Sequence, residues 1–192
     1  MENRSELRKF YLSRRENLSP TLRKEKSAII MDKLDDFIMK SGIKTILFYV
    51  DYRTEVITRN EIVKLLQEEG FAIYVPKVSG FDIEFYRINS FDDLKEGYQG
   101  IMEPSESEDN IFTESDHDKY IVVTPGSVFD EKCHRMGYGK GFYDRFFASH
   151  QRGTKVGMAF DVQIAGKEIP VNENDYGLDC VITESRVIKK DN

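Results

Sequence analysis

The sequence contains no tryptophan, two cysteines and three histidines among its 192 residues. The two cysteines, Cys133 and Cys180, lack the close spacing of a metal-binding pair, so we expect them to be reduced thiols. The three histidines form no ligand pattern; they are His117, His134 and His150. These absences make a zinc site unexpected and favour a reducing compartment, which we predict to be the cytoplasm.

Long apolar runs are also absent. No stretch approaches the ~18 apolar residues that a membrane-spanning helix needs, and the amino terminus is charged, so we expect no membrane partner and no secretory signal. The net charge of −6 argues against a general nucleic-acid-binding protein. With 40% hydrophobic and 32% charged residues, residues 1–192 are predicted to form one globular domain, which we expect to be a monomer.

Hydrophobic patterns typical of strands and of helices alternate along most of the chain. Residues 44–50 form a continuous apolar run, which is typical of a strand buried on both faces of a parallel sheet. The other predicted strands are 73–75, 82–87, 120–124, 155–160 and 178–183, and the predicted helices are 4–18, 20–40, 58–70 and 140–150. This alternation predicts an α/β fold, with a mainly parallel sheet covered by helices on both faces.

Local signals predict where several elements begin and end. Ser19-Pro20 predicts an N-cap followed by a proline at the first helical position, and Gly42 predicts the end of the same helix. Thr58 and Glu61 match a capping box at the start of the next helix, which Gly70 is expected to close. Pro76 is expected to end the strand that precedes it.

The strongest functional pattern lies between residues 124 and 145. After the predicted strand, Pro125-Gly126 predicts a turn. The loop that follows contains three glycines at alternate positions, together with Arg135 and Lys140. A helical pattern begins after the last glycine, so backbone N–H groups, a helix N-terminus and two cations would meet at one place. We hypothesise that a nucleotide phosphate binds there, with Asp144 placed to hold a metal. The loop glycines are Gly137, Gly139 and Gly141.

The spacing of these glycines fits neither a Walker A motif nor the dinucleotide-binding fingerprint. On composition alone, a glycine-rich turn without a ligand is an equally good interpretation. The density of polar residues around the glycines favours a functional loop, because such loops carry binding and catalytic groups. These residues are Arg135, Lys140, Tyr143, Asp144 and Arg145.

Other polar residues have a plain structural interpretation beside a functional one. Arg4, Arg8 and Arg15 lie at helical spacing, which is typical of a solvated basic face. Glu55 follows the apolar run 44–50, at the end of a strand where α/β sheets bind ligands, although most glutamates simply lie on the surface. Two aspartates in a polar loop near the carboxyl terminus are typical of turns; they are Asp175 and Asp179.

The central segment closely resembles the signature of the 5-formyltetrahydrofolate cyclo-ligase family, in Pro125–Asp130 (PGSVFD) and Arg135–Arg145 (RMGYGKGFYDR). The resemblance covers most of the chain, and the central run is its specific part. Its supporting parts are Arg4, Leu7, Arg8, Lys9, Arg15, Leu18 and Ser19, Glu55 to Thr58, and residues 74–77, 100–104, 169–175 and 178–181. Cys133 stands where the family usually has glycine, so an unusual backbone angle is predicted there.

The resemblance implies a single three-layer domain and a defined reaction. ATP and 5-formyltetrahydrofolate, with or without a polyglutamate tail, would give 5,10-methenyltetrahydrofolate, ADP and phosphate, with Mg²⁺ as cofactor. Arg135 and Lys140 would be catalytic. Val50, Glu55 and Tyr143 would bind the folate. The implied metal ligands are Asp144 and Asp175, and the implied ATP-binding residues are Arg4, Arg8, Arg135, Met136, Gly137, Tyr138, Gly139, Lys140, Gly141, Phe142 and Tyr143.

Two other functions are compatible with the residues taken alone. One is a different enzyme on an α/β scaffold, such as a sugar-phosphate isomerase or a CoA transferase, which would act without ATP. The other is a regulator that binds a nucleotide or a folate without converting it.

Overall fold

The structure, a computed structural model, describes residues 3–190, which contain four α-helices and twelve β-strands. The helices are α1 (Arg4–Glu16), α2 (Pro20–Ser41), α3 (Arg59–Leu66) and α4 (Phe142–Ser149). The strands are β1 (Thr45–Leu47), β2 (Ala72–Ser79), β3 (Asp82–Ile88), β4 (Lys95–Glu96), β5 (Met102–Glu103), β6 (Ile121–Thr124), β7 (Val128–Asp130), β8 (Arg135–Met136), β9 (Thr154–Met158), β10 (Ile164–Ala165), β11 (Cys180–Ile182) and β12 (Val187–Lys189). Positions 1, 2, 191 and 192 of the predicted domain lie outside the described residues.

A central sheet organises the molecule, with the strand order β12-β11-β9-β6-β1-β2-β3. The strands from β11 to β2 in this order are parallel to their neighbours, and the two edge strands, β12 and β3, are antiparallel. The carboxyl ends of the parallel strands therefore meet at one edge of the sheet. In open α/β sheets, this edge is where ligands bind.

Helices cover both faces of this sheet, as the sequence predicted. Ile46 and Ile121 pack with residues of α2 and α3, whereas the adjacent Leu47 and Val122 pack with residues of α4 on the opposite face. Successive strand residues point to opposite faces, so a continuous apolar run fills two cores at once. The prediction of a three-layer α/β fold with a mainly parallel sheet is confirmed.

A second, smaller sheet was not predicted. It has the strand order β10-β7-β8, and it joins the glycine-rich segment to the strand that follows β9. Helix α1 packs against it through Tyr11, which lies in a small apolar cluster with Val128 and Met136. This packing places the cations of α1 next to the loop between β8 and α4.

Several predicted element ends are confirmed. The Ser19 hydroxyl accepts a hydrogen bond from the Leu22 N–H at 3.2 Å, and Pro20 occupies the first turn of α2. Gly42 ends α2 in the left-handed conformation, with φ of +68°. Cys133 has φ of +62°, so the unusual backbone angle predicted there is also confirmed. Its N–H bonds to the Asp130 carbonyl at 3.2 Å, within the turn that joins β7 to β8.

Other predicted ends are wrong. Thr58 precedes α3 but makes no capping hydrogen bond with its side chain, because its hydroxyl donates to the Tyr49 carbonyl at 2.8 Å. Helix α3 ends at Leu66, before Gly70. Strand β2 runs through Pro76, which lies beyond the last β1 pairing at Tyr74, so no β1 carbonyl requires its missing N–H. Strand β12 was missed altogether.

Among residues 3–190, no helix is both long enough and apolar enough to cross a bilayer.

Candidate active site

A cavity of 480 Å³ opens at the carboxyl ends of β1 and β6. Val50, which continues from β1, and Pro125, which follows β6, lie in its wall. Its apolar side includes Pro76, Val78 and Ile83 of the β2–β3 hairpin. The volume and the mixed lining are typical of a site for a small molecule.

The glycine loop forms one wall of this cavity. It connects β8 to α4, and Gly139 and Gly141 adopt left-handed conformations with φ of +95° and +69°. A side chain at either position would be strained, which explains why glycine is used. The predicted loop residues that line the cavity are Gly137, Tyr138, Gly139, Lys140, Gly141, Phe142 and Tyr143.

Met136 is placed differently from the rest of the predicted nucleotide-binding set. Its side chain is buried in the cluster beneath α1 and is not part of the cavity lining. Its carbonyl accepts hydrogen bonds from the N–H and the hydroxyl of Ser127, both at 2.8 Å. Met136 thus anchors the start of the glycine loop to Ser127, the residue immediately before β7.

Helix α1 contributes two of the predicted cations to the cavity. Arg8 donates to the Gly137 carbonyl at 3.0 Å, and Arg4 donates to the Pro170 carbonyl at 2.7 Å and pairs with Asp175. Burial, and then the neighbouring charge of Arg4, lower the pKa of Arg8. Two neighbouring guanidinium groups at one cavity suit the binding of a polyanion.

Arg135 is the buried cation of the site. Its guanidinium donates to the Pro125 carbonyl at 3.3 Å and to Asp144 Oδ1 at 3.0 Å, and it lies 5.6 Å from the centre of the Tyr143 ring. Its Nε and the Tyr143 hydroxyl are buried polar atoms without a partner among residues 3–190. Because buried polar atoms are nearly always hydrogen-bonded in proteins, these two atoms mark a place where a ligand would supply the partner.

Lys140 brings a second charge to the same wall in a different way. Its side chain is exposed at the cavity, and within the described residues it makes no ion pair. Its ammonium group is therefore available to a ligand.

The two predicted metal ligands, Asp144 and Asp175, both line the cavity. Besides the bond from Arg135, Asp144 accepts one from the Tyr176 N–H at 3.3 Å, and Asp175 accepts one from the Asn172 N–H at 2.7 Å. Residues 3–190 contain no group of three or more acidic, histidine or cysteine side chains that could hold a metal by themselves. Two carboxylates that line one cavity would nevertheless suit Mg²⁺ together with a bound nucleotide, because Mg²⁺ takes few protein ligands and completes its shell with phosphate and water.

Asp179 lies apart from these two acids. Its carboxylate accepts a hydrogen bond from the Lys155 N–H at 2.7 Å, and it does not line the cavity. It joins the starts of two neighbouring strands, as a turn residue does.

The predicted folate-binding residues Val50, Glu55 and Tyr143 all line the cavity. Val50 is buried, and Glu55 is only 8% exposed, so the interpretation of Glu55 as a surface residue is wrong. Glu55 accepts hydrogen bonds from the Tyr138 hydroxyl and from the Tyr52 N–H, the latter at 2.9 Å. Burial raises the pKa of Glu55, and the Tyr138 hydrogen bond and the charge of Arg15 partly offset that increase.

Sequence reasoning missed the place of Arg15. It is 5% exposed, although the helical spacing of α1 suggested a solvated basic face. Its signal in the sequence was that it matched the family pattern together with Leu18 and Ser19. The apolar part of the cavity wall formed by the β2–β3 hairpin was also missed, because the sequence analysis placed the end of a strand at Pro76.

Fold and site together define a class of protein: an α/β protein whose cavity has a cationic glycine loop on one wall and a buried carboxylate near an apolar wall. Comparison with known proteins identifies the class further. The model of the 5-formyltetrahydrofolate cyclo-ligase family matches residues 1–184, so the chain belongs to this family. The protein is therefore an enzyme, a ligase, and the resemblance noted in its sequence is confirmed.

Individual relatives agree with the family assignment. A protein of Caenorhabditis elegans named a probable 5-formyltetrahydrofolate cyclo-ligase is 29% identical, over 97% of this chain and 95% of its own length. The NMR structure of Aquifex aeolicus 5,10-methenyltetrahydrofolate synthetase matches with a TM-score of 0.84 at 33% identity, covering 98% of this chain and 93% of that one. A 5,10-methenyltetrahydrofolate synthetase from Mycoplasma pneumoniae matches with a TM-score of 0.76 at 25% identity, covering 95% and 99%.

Proposed function

We propose that the protein converts 5-formyltetrahydrofolate and ATP to 5,10-methenyltetrahydrofolate, ADP and phosphate. One observation carries the proposal: the cationic glycine loop and the buried Glu55 line the same cavity. A triphosphate on the loop and a folate at Glu55 would then lie side by side, which a phosphoryl transfer between them requires.

The chemistry needs activation of a poor electrophile. Transfer of the γ-phosphoryl group of ATP to the formyl oxygen turns that oxygen into a phosphate leaving group. N10 of the folate then attacks the formyl carbon and loses its proton, the ring closes, and the C–O bond breaks to release phosphate. No covalent bond to the protein is needed, so the protein acts by positioning and by neutralising charge.

Two groups of cations among the described residues would bind the phosphates of ATP. Arg135 and Lys140 hold the terminal phosphates and stabilise the transferring group, with Arg135 fixed by Asp144 and Lys140 free to follow the charge. Arg4 and Arg8 bind the triphosphate from the side of α1, and the backbone N–H groups of residues 137–141 bind phosphate oxygens.

Asp144 and Asp175 would hold Mg²⁺ against the triphosphate. When bound, the ion would supply charge neutralisation to the phosphates. Each aspartate pairs with an arginine that also lines the cavity, Asp144 with Arg135 and Asp175 with Arg4.

Val50, Glu55 and Tyr143 would bind the folate. Glu55 accepts a hydrogen bond from a folate N–H near the reacting formyl group, and Tyr143, which is packed edge-to-face against Phe85, borders both substrates. The hairpin residues Pro76, Val78 and Ile83 provide an apolar wall for an aromatic ring system.

One spectrophotometric experiment tests the function. The purified protein is mixed with 5-formyltetrahydrofolate, ATP and magnesium, and formation of the methenyl product is followed by its near-ultraviolet absorbance. We expect product only when ATP is present, and none with an ATP analogue that cannot transfer its γ-phosphoryl group. Product formation at the same rate without ATP would contradict the proposal.

We also propose that residues 1–192 form a single domain that acts as a monomer in the cytoplasm. The central sheet with its two flanking cores supports one domain, and two buried free cysteines suit a reducing compartment. Light scattering on a size-exclusion column tests the oligomeric state, against a chain mass of 22.4 kDa.

A further inference from the structure

Arg15 is a buried cation that the proposed reaction leaves without a role. It lies in the last turn of α1 and is 5% exposed. Its Nε donates to the Thr54 hydroxyl at 3.0 Å, and its Nη1 donates to the Tyr138 hydroxyl at 2.8 Å and to the Gly126 carbonyl at 3.4 Å. Within residues 3–190 it makes no direct ion pair, although a buried guanidinium normally needs a negative counterpart.

That counterpart is Glu55, reached through Tyr138. The Tyr138 hydroxyl donates to Glu55 Oε1 and accepts from Arg15. The direction of this chain is fixed, because an arginine can only donate hydrogen bonds and the single hydroxyl proton must therefore point to Glu55. Because Tyr138 donates its proton to Glu55, this arrangement stabilises the ionised form of the Glu55 carboxyl group.

These two hydrogen bonds connect three segments that are distant in sequence. Arg15 belongs to α1, Tyr138 to the glycine loop, and Glu55 to the loop after β1. Tyr138 is 47% exposed and lines the cavity, yet its hydroxyl faces inward to these two partners. One residue of the loop proposed for the nucleotide therefore also holds the residue proposed for the folate.

The surroundings of Glu55 make such support necessary. Its own burial opposes its charge, and the nearby Asp51 opposes it further, whereas Tyr138, Arg15 and the Tyr52 N–H favour it. The titratable or charged groups that face it are Arg15 of α1, Tyr138 of the glycine loop, Tyr143 of α4, and Tyr49 and Asp51 beside its own loop.

We infer that Arg15 and Tyr138 are positioning residues that keep Glu55 ionised and aimed at the folate. The inference rests on the proposed function, in which the Glu55 carboxylate accepts a hydrogen bond from a folate N–H. A protonated Glu55 has one oxygen less available as an acceptor, so folate recognition would fail at acid pH.

The test is the pH dependence of kcat/KM for 5-formyltetrahydrofolate in the Tyr138→Phe variant. Loss of the hydroxyl removes a hydrogen bond to the charged form, so the pKa of Glu55 rises. Because the ionised form binds, the acid limb of the profile moves to higher pH by about one unit or more. At high pH, where Glu55 is ionised in both proteins, the ratio of the Tyr138→Phe and wild-type values of kcat/KM should no longer change with pH.

Arg15→Lys keeps a positive charge but loses the planar guanidinium group, whose nitrogens donate to Thr54 and Tyr138 at the same time. We expect its acid limb to fall between those of the wild type and Tyr138→Phe. Tyr86→Phe is the matched control, because the Tyr86 hydroxyl also donates to a carboxylate, Glu84 at 2.8 Å, outside the cavity. Its profile should coincide with that of the wild type.

A ¹³C NMR titration of the glutamate carboxyl groups separates this inference from the proposed function. Glu55→Gln identifies the Glu55 resonance, and no substrate is needed. A Glu55 pKa that is the same in the wild type and in a folded Tyr138→Phe variant would overturn the inference even if the enzyme is active. A wild-type protein that makes no methenyl product would overturn the proposed function, and with it the folate role of Glu55, whatever the titration shows.

Discussion

Arg135 and Lys140 bring the same charge to the cavity in two different ways. Arg135 is buried and held by the Pro125 carbonyl and Asp144, so its guanidinium has a set position before any ligand binds. Lys140 is exposed, and its flexible stem gives the ammonium group a range of positions at the cavity. Either cation could stabilise the charge of a transferring phosphoryl group, and the preorganised Arg135 would do so without reorganising.

Lys140→Ala should therefore lower kcat by about 10³-fold while the fold stays intact, since it removes the cation proposed to stabilise the transition state. The measurement is kcat for methenyl formation, with circular dichroism to check folding. Lys132→Ala is the control, because Lys132 is also an exposed lysine but pairs with Glu168 at 2.7 Å, away from the cavity. A rate near that of the wild type in Lys140→Ala would remove its role in phosphoryl transfer.

Asp144→Asn should raise the magnesium concentration needed for half-maximal activity by about tenfold or more, because an amide oxygen is a weaker ligand for a hard cation than a carboxylate. The rate is measured against magnesium at a fixed ATP concentration. Asp36→Asn serves as control, since Asp36 is an exposed partner of Lys40 on α2. If the magnesium titration of Asp144→Asn matches that of the wild type, Asp144 is not a metal ligand.

At the scale of elements, the turn between β6 and β7 controls where Arg135 lies. The Gly126 carbonyl accepts hydrogen bonds from Gln163 Nε2 at 2.9 Å and from Arg15, and its Cα packs close to the Phe129 ring. A β-carbon at this position would lie 2.5 Å from Phe129 Cζ and 3.1 Å from Arg135 Cγ. The turn thus has room for a glycine alone.

Gly126→Ala should lower the free energy of unfolding by about 1–3 kcal/mol, since an overpacked core must shift to accept the extra methyl group. It should also lower kcat, because the Arg135 side chain has to move. Urea denaturation and the methenyl assay measure the two effects. In Gly166→Ala no atom lies within 4 Å of the added carbon, so both quantities should stay close to the wild type. Equal effects of the two substitutions would show that the close approach at Gly126 is unimportant.

At the scale of the whole molecule, the site is assembled from both ends of the chain. Arg4 of α1 pairs with Asp175 near the carboxyl terminus, and Arg8 bonds to the glycine loop. A nucleotide that contacts these groups would bind only the folded chain, so it should stabilise the entire domain.

An ATP analogue that cannot transfer phosphate, added with magnesium at about a hundredfold excess over its Kd, should stabilise the protein by ~2.7 kcal/mol and raise Tm by roughly 5–10 °C. Differential scanning calorimetry measures the shift. In Arg8→Ala the shift at the same concentrations should be smaller, whereas Arg23→Ala, which changes a half-buried residue near the start of α2 and outside the cavity lining, should keep it. No shift in the wild type would argue against nucleotide binding at this site.

Signals that act over one helical turn or along one strand could be interpreted from the sequence. Ser19, Pro20 and Gly42 define α2 through contacts with their own neighbours, so their pattern was sufficient. The apolar run 44–50 indicated burial on both faces, and the glycines with Arg135 and Lys140 indicated the loop. These features depend on local backbone geometry and on hydrophobic periodicity, which a linear sequence contains.

Contacts between distant segments could not be obtained in this way. Thr58 bonds to Tyr49 rather than capping α3, and Pro76 lies within β2 because that strand continues past its partner β1. Arg15 is buried only because α1 packs on the small sheet, whose short strands carry little pattern of their own.

The sequence by itself determined the class of fold, the ends of the main helix and the loop that carries the charges, together with a resemblance that named the family. Only the tertiary structure decided that Glu55 is buried and that Tyr138, 83 positions away, and Arg15 hold it. The physical reason is that the burial of a charge and its pairing depend on which strands lie side by side. That order is set by the packing of the whole sheet rather than by any one segment.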